Sequence, residues 1–420
     1  MNRSRLRSIR LVAPLVALAL LGVACGSDDN NQAAPQQETE QTNKQGGTAD
    51  EAAVATGPDS PAAQLRSTLT GAFQEHVVLA ASATGAALGG RTEEFTAAAG
   101  ALDANSNSLT EAISGIFGAE AGKAFDPLWK KHIGFVVDYT QGLAAKDQAK
   151  QDKAVADLVA YTKDFGAFLN SALPELPADA VAELVKTHIL TLKDVIDAQA
   201  AGDQVQAYTN LRAAAHHMGM IAEPLAGAIA KQFPDKAGGD PASPGAGLVT
   251  TLNSALSEHV TLAASATGAA LGGRSDEFTA AAGALDGNSN DITAAIAGVY
   301  GPEAGKAFDP LWKKHIGFVV DYTQGLGARD KAKQDKAVAD LVAYTNDFGA
   351  FLNSASPELP PATVADLVKT HILTLKDVID AQAAKDYTKA YTNLRSSAHH
   401  MSMIANPLAT TIVKQFPEKF

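Results

Sequence analysis

Apolar positions along most of the chain recur at the spacing of an α-helix. Around His76, His132 and His188, apolar residues stand seven and three positions before and four and seven positions after the histidine. These offsets trace one helix face, so each histidine sits within the apolar stripe of its helix. A short polar turn follows, and then a second apolar stripe. The pattern predicts a helical hairpin that recurs every 56 residues, and it contains no strand-like alternation.

A longer repeat contains these hairpins. Residues 64–236 realign with residues 247–419 without a gap, and residues 120–143 are identical to residues 303–326. The predicted fold class is therefore all-α, with two tandem homologous helical-bundle domains, each of about six helices arranged as three αα-hairpins. The pattern leaves open whether the three hairpins close around an axis or stack in an open row.

The domain boundaries follow from composition and from the repeat. We predict a lipoprotein signal peptide over 1–24, a disordered tether over 25–60, a first helical domain over 61–236, a linker over 237–246 and a second helical domain over 247–420. The linker is rich in Gly and Pro, which predicts loose coupling between the two copies.

The N-terminus has the features of an export signal. Arginines precede a short apolar run that ends in Gly22-Val23-Ala24-Cys25, and a polar stretch follows directly. This segment resembles a lipobox, although Leu is usual where Gly22 stands, and it indicates lipid attachment to Cys25. The alternative is an ordinary signal peptide that is cut slightly later. We expect an extracytoplasmic protein, anchored to the cell membrane as a lipoprotein.

Charge and motifs exclude several function classes. The formal net charge of −12 argues against nucleic acid as a partner, because binding it requires basic patches. Cys25 is the only cysteine, so disulfides cannot stabilise the fold. The chain also lacks a nucleophile elbow, a His-Glu-x-x-His pair and a Gly-rich phosphate loop. A binding protein is therefore expected rather than an enzyme, and its protein partner is unknown.

One polar residue per helix lies at a matching height on the buried stripe. In the first copy these are His76, Asn105, His132, Tyr161, His188 and His217. If the hairpins close around an axis, the three hairpin histidines converge on one point, with His217 or Met218 as a fourth donor. His216 and His399 complete the ten histidines, and the helical wheel places none of the ten on a solvent-facing position. The candidate metal ligands are His76, His132, His188, His217, Met218, His259, His315, His371, His400 and Met401.

Three interpretations of this polar layer stay open. Imidazole together with thioether, in an oxidising compartment, favours copper as the metal, with zinc as the alternative. The layer can instead be structural. The protein is then a structural or interaction module of the cell envelope, and its histidines hydrogen-bond one another in the core. It can also line a cavity for an organic ligand. Isolated buried histidines are usually satisfied core residues, and methionines usually fill gaps between helices.

Four motifs carry a family resemblance. They are Glu75-His76-Val77, Trp129-Lys130-Lys131-His132, Asp138-Tyr139-Thr140 and Ala215-His216-His217-Met218. With them, the repeats resemble an uncharacterised family of secreted bacterial helical-repeat modules, some of which carry the label copper amine oxidase by domain association. Copper amine oxidases convert the tyrosine of an Asn-Tyr-Asp or Asn-Tyr-Glu tripeptide, which this chain lacks. The resemblance therefore implies an association with copper and no oxidase activity.

Overall fold

The structure is a computed structural model that describes residues 56–420, and within this range it contains helices and no strands. The predicted signal peptide, Cys25 and the tether as far as residue 55 lie outside the described residues. The first copy comprises α1 (Pro61–Leu88), α2 (Thr92–Phe117), α3 (Ala119–Ala145), α4 (Gln148–Ala172), α5 (Ala178–Ala201), α6 (Gln204–Gln232) and the single turn α7 (Pro234–Ala237). The second comprises α8 (Pro244–Leu271), α9 (Ser275–Tyr300), α10 (Pro302–Gly327), α11 (Lys331–Ala355), α12 (Pro361–Ala383), α13 (Tyr387–His400) and α14 (Ser402–Gln415). The predicted all-α fold class is confirmed.

Local sequence signals set the helix ends. Ser60 and Ser243 cap α1 and α8 by accepting a hydrogen bond from the backbone N–H three residues later, and a proline follows each serine at the first helical position. Asp147 and Asp203 cap α4 and α6 in the same way. Gly118 alone joins α2 to α3, with a φ of 95° that a glycine adopts without strain.

Each copy closes into a ring. Consecutive helices pack against each other from α1 to α6, and α6 returns to pack along α1. The odd-numbered helices α1, α3 and α5 also contact one another, so they form the inside of the ring. The second copy repeats this arrangement, with α13 and α14 together in the place of α6. The closed alternative for the three hairpins is therefore the observed one.

The two copies pack against each other, so the expected loose coupling is wrong. Helix α1 lies along α8, while α6 packs on α9 and α13 packs on α2, which makes the interface reciprocal. Gly and Pro in the linker do not loosen the pair, because Pro244 begins α8 and Ala237 is buried. The aromatic rings of Tyr208 and Tyr391 each pack against the hydrophobic core of the opposite copy.

Two partly buried glutamates hold this interface together. Arg395 donates two hydrogen bonds, of 3.0 and 3.2 Å, to the carboxylate of Glu75. Arg212 donates to Glu258 at 3.0 and 3.1 Å in the equivalent position. Bidentate arginine pairs with little solvent exposure hold both partners in one orientation. Each copy thus contributes one arginine and one glutamate to an equivalent pair with the other copy. The interface therefore resembles that of a symmetric dimer, within a single chain.

Among residues 56–420, no helix combines the length and the apolar character needed to span a membrane.

Candidate metal centre

The three inner helices of each ring bring one histidine each to a common point. His76 on α1, His132 on α3 and His188 on α5 are buried, with 2%, 4% and 7% of their surface exposed. One ring nitrogen from each lies within 4.8 Å of those from the other two. In the second copy His259, His315 and His371 form the same group, again within 4.8 Å. We call these groups the first and second histidine triads.

The spacing of the nitrogens suits a single ion. Nε2 of His132 lies 3.3 Å from Nε2 of His76, and the equivalent distance in the second triad is 3.2 Å. Two nitrogens bound tetrahedrally to one ion at about 2.1 Å stand about 3.4 Å apart. The first pair is thus already at ligand spacing, and the third nitrogen of each triad lies within 4.8 Å of both. Each triad can therefore hold a metal ion.

Burial keeps the triad histidines neutral. Loss of hydration lowers the pKa of His76 well below its ordinary value, and the charges that His132 and His188 would carry lower it further. Burial lowers the pKa of His132 to about 4, against a smaller opposing effect of the Trp129 backbone. Burial lowers the pKa of His188 to about 3, together with the charges that His132 and His217 would carry. At neutral pH every ring is therefore uncharged and carries one nitrogen lone pair, the form that binds metals.

The triads are incompletely hydrogen-bonded. Nδ1 of His76, His132 and His188 is buried and has no hydrogen-bond partner among the described residues, and the same holds in the second triad. His217 differs, because its Nε2 lies 3.0 Å from the carbonyl of Leu184, as does that of His400 from Leu367 at 3.1 Å. An unpaired buried polar atom costs about 1–3 kcal/mol. His217 thus has a hydrogen-bond partner, whereas each triad histidine keeps one buried ring nitrogen without one.

The other members of the predicted layer surround the triad from the outer helices. Asn105 is buried and donates to the Ala72 carbonyl and to Glu75, at 3.0 and 2.6 Å. Tyr161 stacks on the His132 ring, with 5.3 Å between the ring centroids. Met218 and Met401 are buried in the cores of their copies. Neither His217 nor His400 belongs to the groups of converging nitrogens, and the fourth-donor role of His217, Met218, His400 and Met401 stays a prediction.

Two histidines depart from the expected buried stripe. The side chains of His216 and His399 are 55% and 61% exposed, so the prediction that no histidine faces solvent is wrong for this pair. His216 Nε2 lies 3.3 Å from Glu258, and His399 Nε2 lies 3.2 Å from Glu75. Both contacts cross between the copies. A helical wheel of one copy cannot show them, because the second copy supplies the partner.

Trp129 is part of the site, which sequence reasoning did not recognise. Its ring lies 4.9 Å from that of His76 and 4.8 Å from that of His132, centroid to centroid, and its Nε1 donates to Ser106 at 3.2 Å. Trp312 repeats these contacts in the second copy. The signal was present, because the tryptophan stands three residues before the histidine on the same helix face.

Comparisons with protein-family models, with curated proteins and with solved structures found no match. The triads are thus interpreted from their own geometry, and the resemblance to secreted helical-repeat modules stays a prediction.

Proposed function

We propose that this protein is an extracytoplasmic, membrane-anchored lipoprotein that binds a transition metal in each histidine triad, with copper as the favoured metal. The observation that carries the proposal is the convergence of three buried imidazole nitrogens within 4.8 Å in both copies. Two features support it: the rings are neutral, and one nitrogen pair already has ligand spacing.

Copper is favoured over zinc by the charge of the site. The three converging ligands are neutral imidazoles, and their surroundings are apolar and aromatic. A buried charge without a counter-charge is costly, and the cost rises with the charge, so monovalent copper is less unfavourable here than a divalent ion. Met218 and Met401, which are buried in the cores, would add a soft thioether donor that selects the same ion. Zinc with three nitrogen ligands is the alternative.

Anchoring rests on the sequence of the N-terminus. The apolar run that ends at Cys25 supports lipid attachment there, and the polar residues that follow would hold the two copies away from the membrane surface.

A structural polar layer is the second candidate function. The 3.3 Å separation of His76 and His132 favours it, because one neutral imidazole can donate to the other. In this case the protein is a structural or interaction module of the cell envelope and binds no ligand. The unpaired Nδ1 atoms count against it, since a layer selected for hydrogen bonding would satisfy them.

Metal titration separates the two functions. The purified mature protein is titrated with Cu(I), Cu(II) and Zn(II) against competing chelators, and we expect two ions per chain. A His132→Ala/His188→Ala variant should bind one ion, as should the matched His315→Ala/His371→Ala variant, and the combined variant should bind none. The control variant His216→Ala/His399→Ala keeps both triads and should bind two. Binding of micromolar or weaker affinity that all variants share would refute the proposal.

A further inference from the structure

A cavity adjoins the second histidine triad. It has a volume of about 190 Å³ and lies between α8, α9 and α10. His259 and His315, two of the three triad residues, form part of its wall. The rest of the wall is largely apolar, with Phe278, Leu285 and Ile316 among the larger side chains.

Small residues on α8 create this space. The positions four and seven residues after the triad histidine pack into the core on all three inner helices. On α8 they are the alanines Ala263 and Ala266, and the exposed Ala270 lines the cavity one turn further on. The equivalent residues on α10 and α12 are Val319, Tyr322, Leu375 and Val378. One sector of the ring is therefore underfilled, because the chain places its smallest side chains there.

The cavity reaches the protein surface. Asp286 and Lys313 also line it, and their side chains are 61% and 39% exposed and form an ion pair at 3.4 Å. A molecule that enters beside this pair meets apolar walls and then two imidazoles. The cavity thus joins solvent to a site that is otherwise buried.

We propose that the second triad binds its metal through its three histidines without Met401, which leaves one coordination position open towards this cavity. This position takes a small neutral molecule with an apolar ring and one nitrogen, oxygen or sulfur donor. This inference rests on the proposed metal binding. Three protein ligands leave the fourth position of a tetrahedral ion free, as in sites that bind a small molecule on the metal. An apolar cavity of about 150 Å³ is large enough to hold benzene, so the present cavity accommodates one ring with its donor atom.

Imidazole is a suitable probe, because it combines a small ring with one metal-binding nitrogen. The test uses a chain with the His132→Ala and His188→Ala substitutions, so that only the second triad is loaded, and Co(II) serves as the spectroscopic metal. We expect imidazole to shift the visible absorption of bound Co(II) in a saturable way. Adding Ala266→Leu fills the cavity and should weaken imidazole binding about tenfold or more, because the side chain occupies the ligand's space. The matched control Ala295→Leu alters an exposed position of α9 and should have no effect.

The outcomes distinguish this inference from the metal proposal. A shift that Ala266→Leu weakens and Ala295→Leu leaves unchanged supports an open position on the cavity. Tight Co(II) binding without a response to imidazole, or with a response that Ala266→Leu does not weaken, overturns the inference and leaves metal binding intact. Absence of Co(II), Cu(I) and Zn(II) binding to the second triad refutes the proposed function itself, and the inference with it.

Discussion

Saturation of both triads with metal is expected to stabilise the folded chain by about 8 kcal/mol, because free metal at 1,000 times the dissociation constant adds about 4 kcal/mol per site. The effect is large because the unfolded chain does not bring three histidines together. Urea or thermal unfolding of the mature protein, with saturating metal and then with a strong chelator, measures it. The chelator should return the unfolding midpoint to its metal-free value.

A triple substitution separates this effect from hydrogen bonding within the layer. In His76→Leu/His132→Leu/His188→Leu the first triad becomes apolar at roughly equal volume. The increase in the free energy of unfolding that saturating metal causes should then fall to about half. The metal-free protein should keep its stability or gain some, because three unpaired buried nitrogens are removed. A metal-free variant that loses several kcal/mol, together with a wild type that metal does not stabilise, would favour the structural polar layer.

Acid is expected to weaken the interface between the copies. Burial alone would raise the pKa of Glu75, but contacts with His399 and Arg395 outweigh it and lower the pKa to about 2. The pKa of Glu258 is also lowered to about 2, by His216 and Arg212 against burial. A carboxylate whose folded pKa is depressed contributes stability above its unfolded pKa, near 4.5, and loses it as the pH falls towards 2. The shift corresponds to as much as about 3 kcal/mol per glutamate.

The variant Glu75→Gln/Glu258→Gln tests the origin of this acid sensitivity. At pH 7 its free energy of unfolding should be lower than that of the wild type. Between pH 5 and pH 2.5 this free energy should fall by less than in the wild type, as measured by urea unfolding. The matched control Glu120→Gln/Glu303→Gln alters exposed glutamates that pair only within their own helices. Equal acid sensitivity in the wild type and the interface variant would show that other groups cause it.

The hairpins and the common height of the triad histidines could be predicted from the sequence. The helical spacing of apolar residues around His76, His132 and His188 placed each histidine on the buried face of its helix. The 56-residue interval predicted that the three lie at the same height in their hairpins. The sequence did not decide between a closed ring and an open row, because the contact of α6 with α1 joins residues far apart in the chain. Only the closed ring brings three histidines to one ion.

The features that sequence reasoning missed involve contacts between separate parts of the chain. His216 and His399 lie beside glutamates of the opposite copy, and a pattern within one copy carries no information on that partner. The close packing of the copies was missed for the same reason, since linker composition reports on the linker and not on the surfaces it joins. The contact of Trp129 with two triad rings likewise depends on how α1 and α3 pack.

X-ray absorption at the edge of the bound metal tests the central claim most directly, because it reports the ligand atoms themselves. The claim predicts a first shell of nitrogen at about 2.0–2.1 Å with the outer-shell scattering of three imidazoles per ion. The His132→Ala/His188→Ala variant should bind half as much metal, and each ion that remains should keep this shell. A thioether sulfur in the same shell would be consistent with Met218 as a fourth donor. A shell of oxygen without imidazole scattering, unchanged in the variant, would contradict the claim.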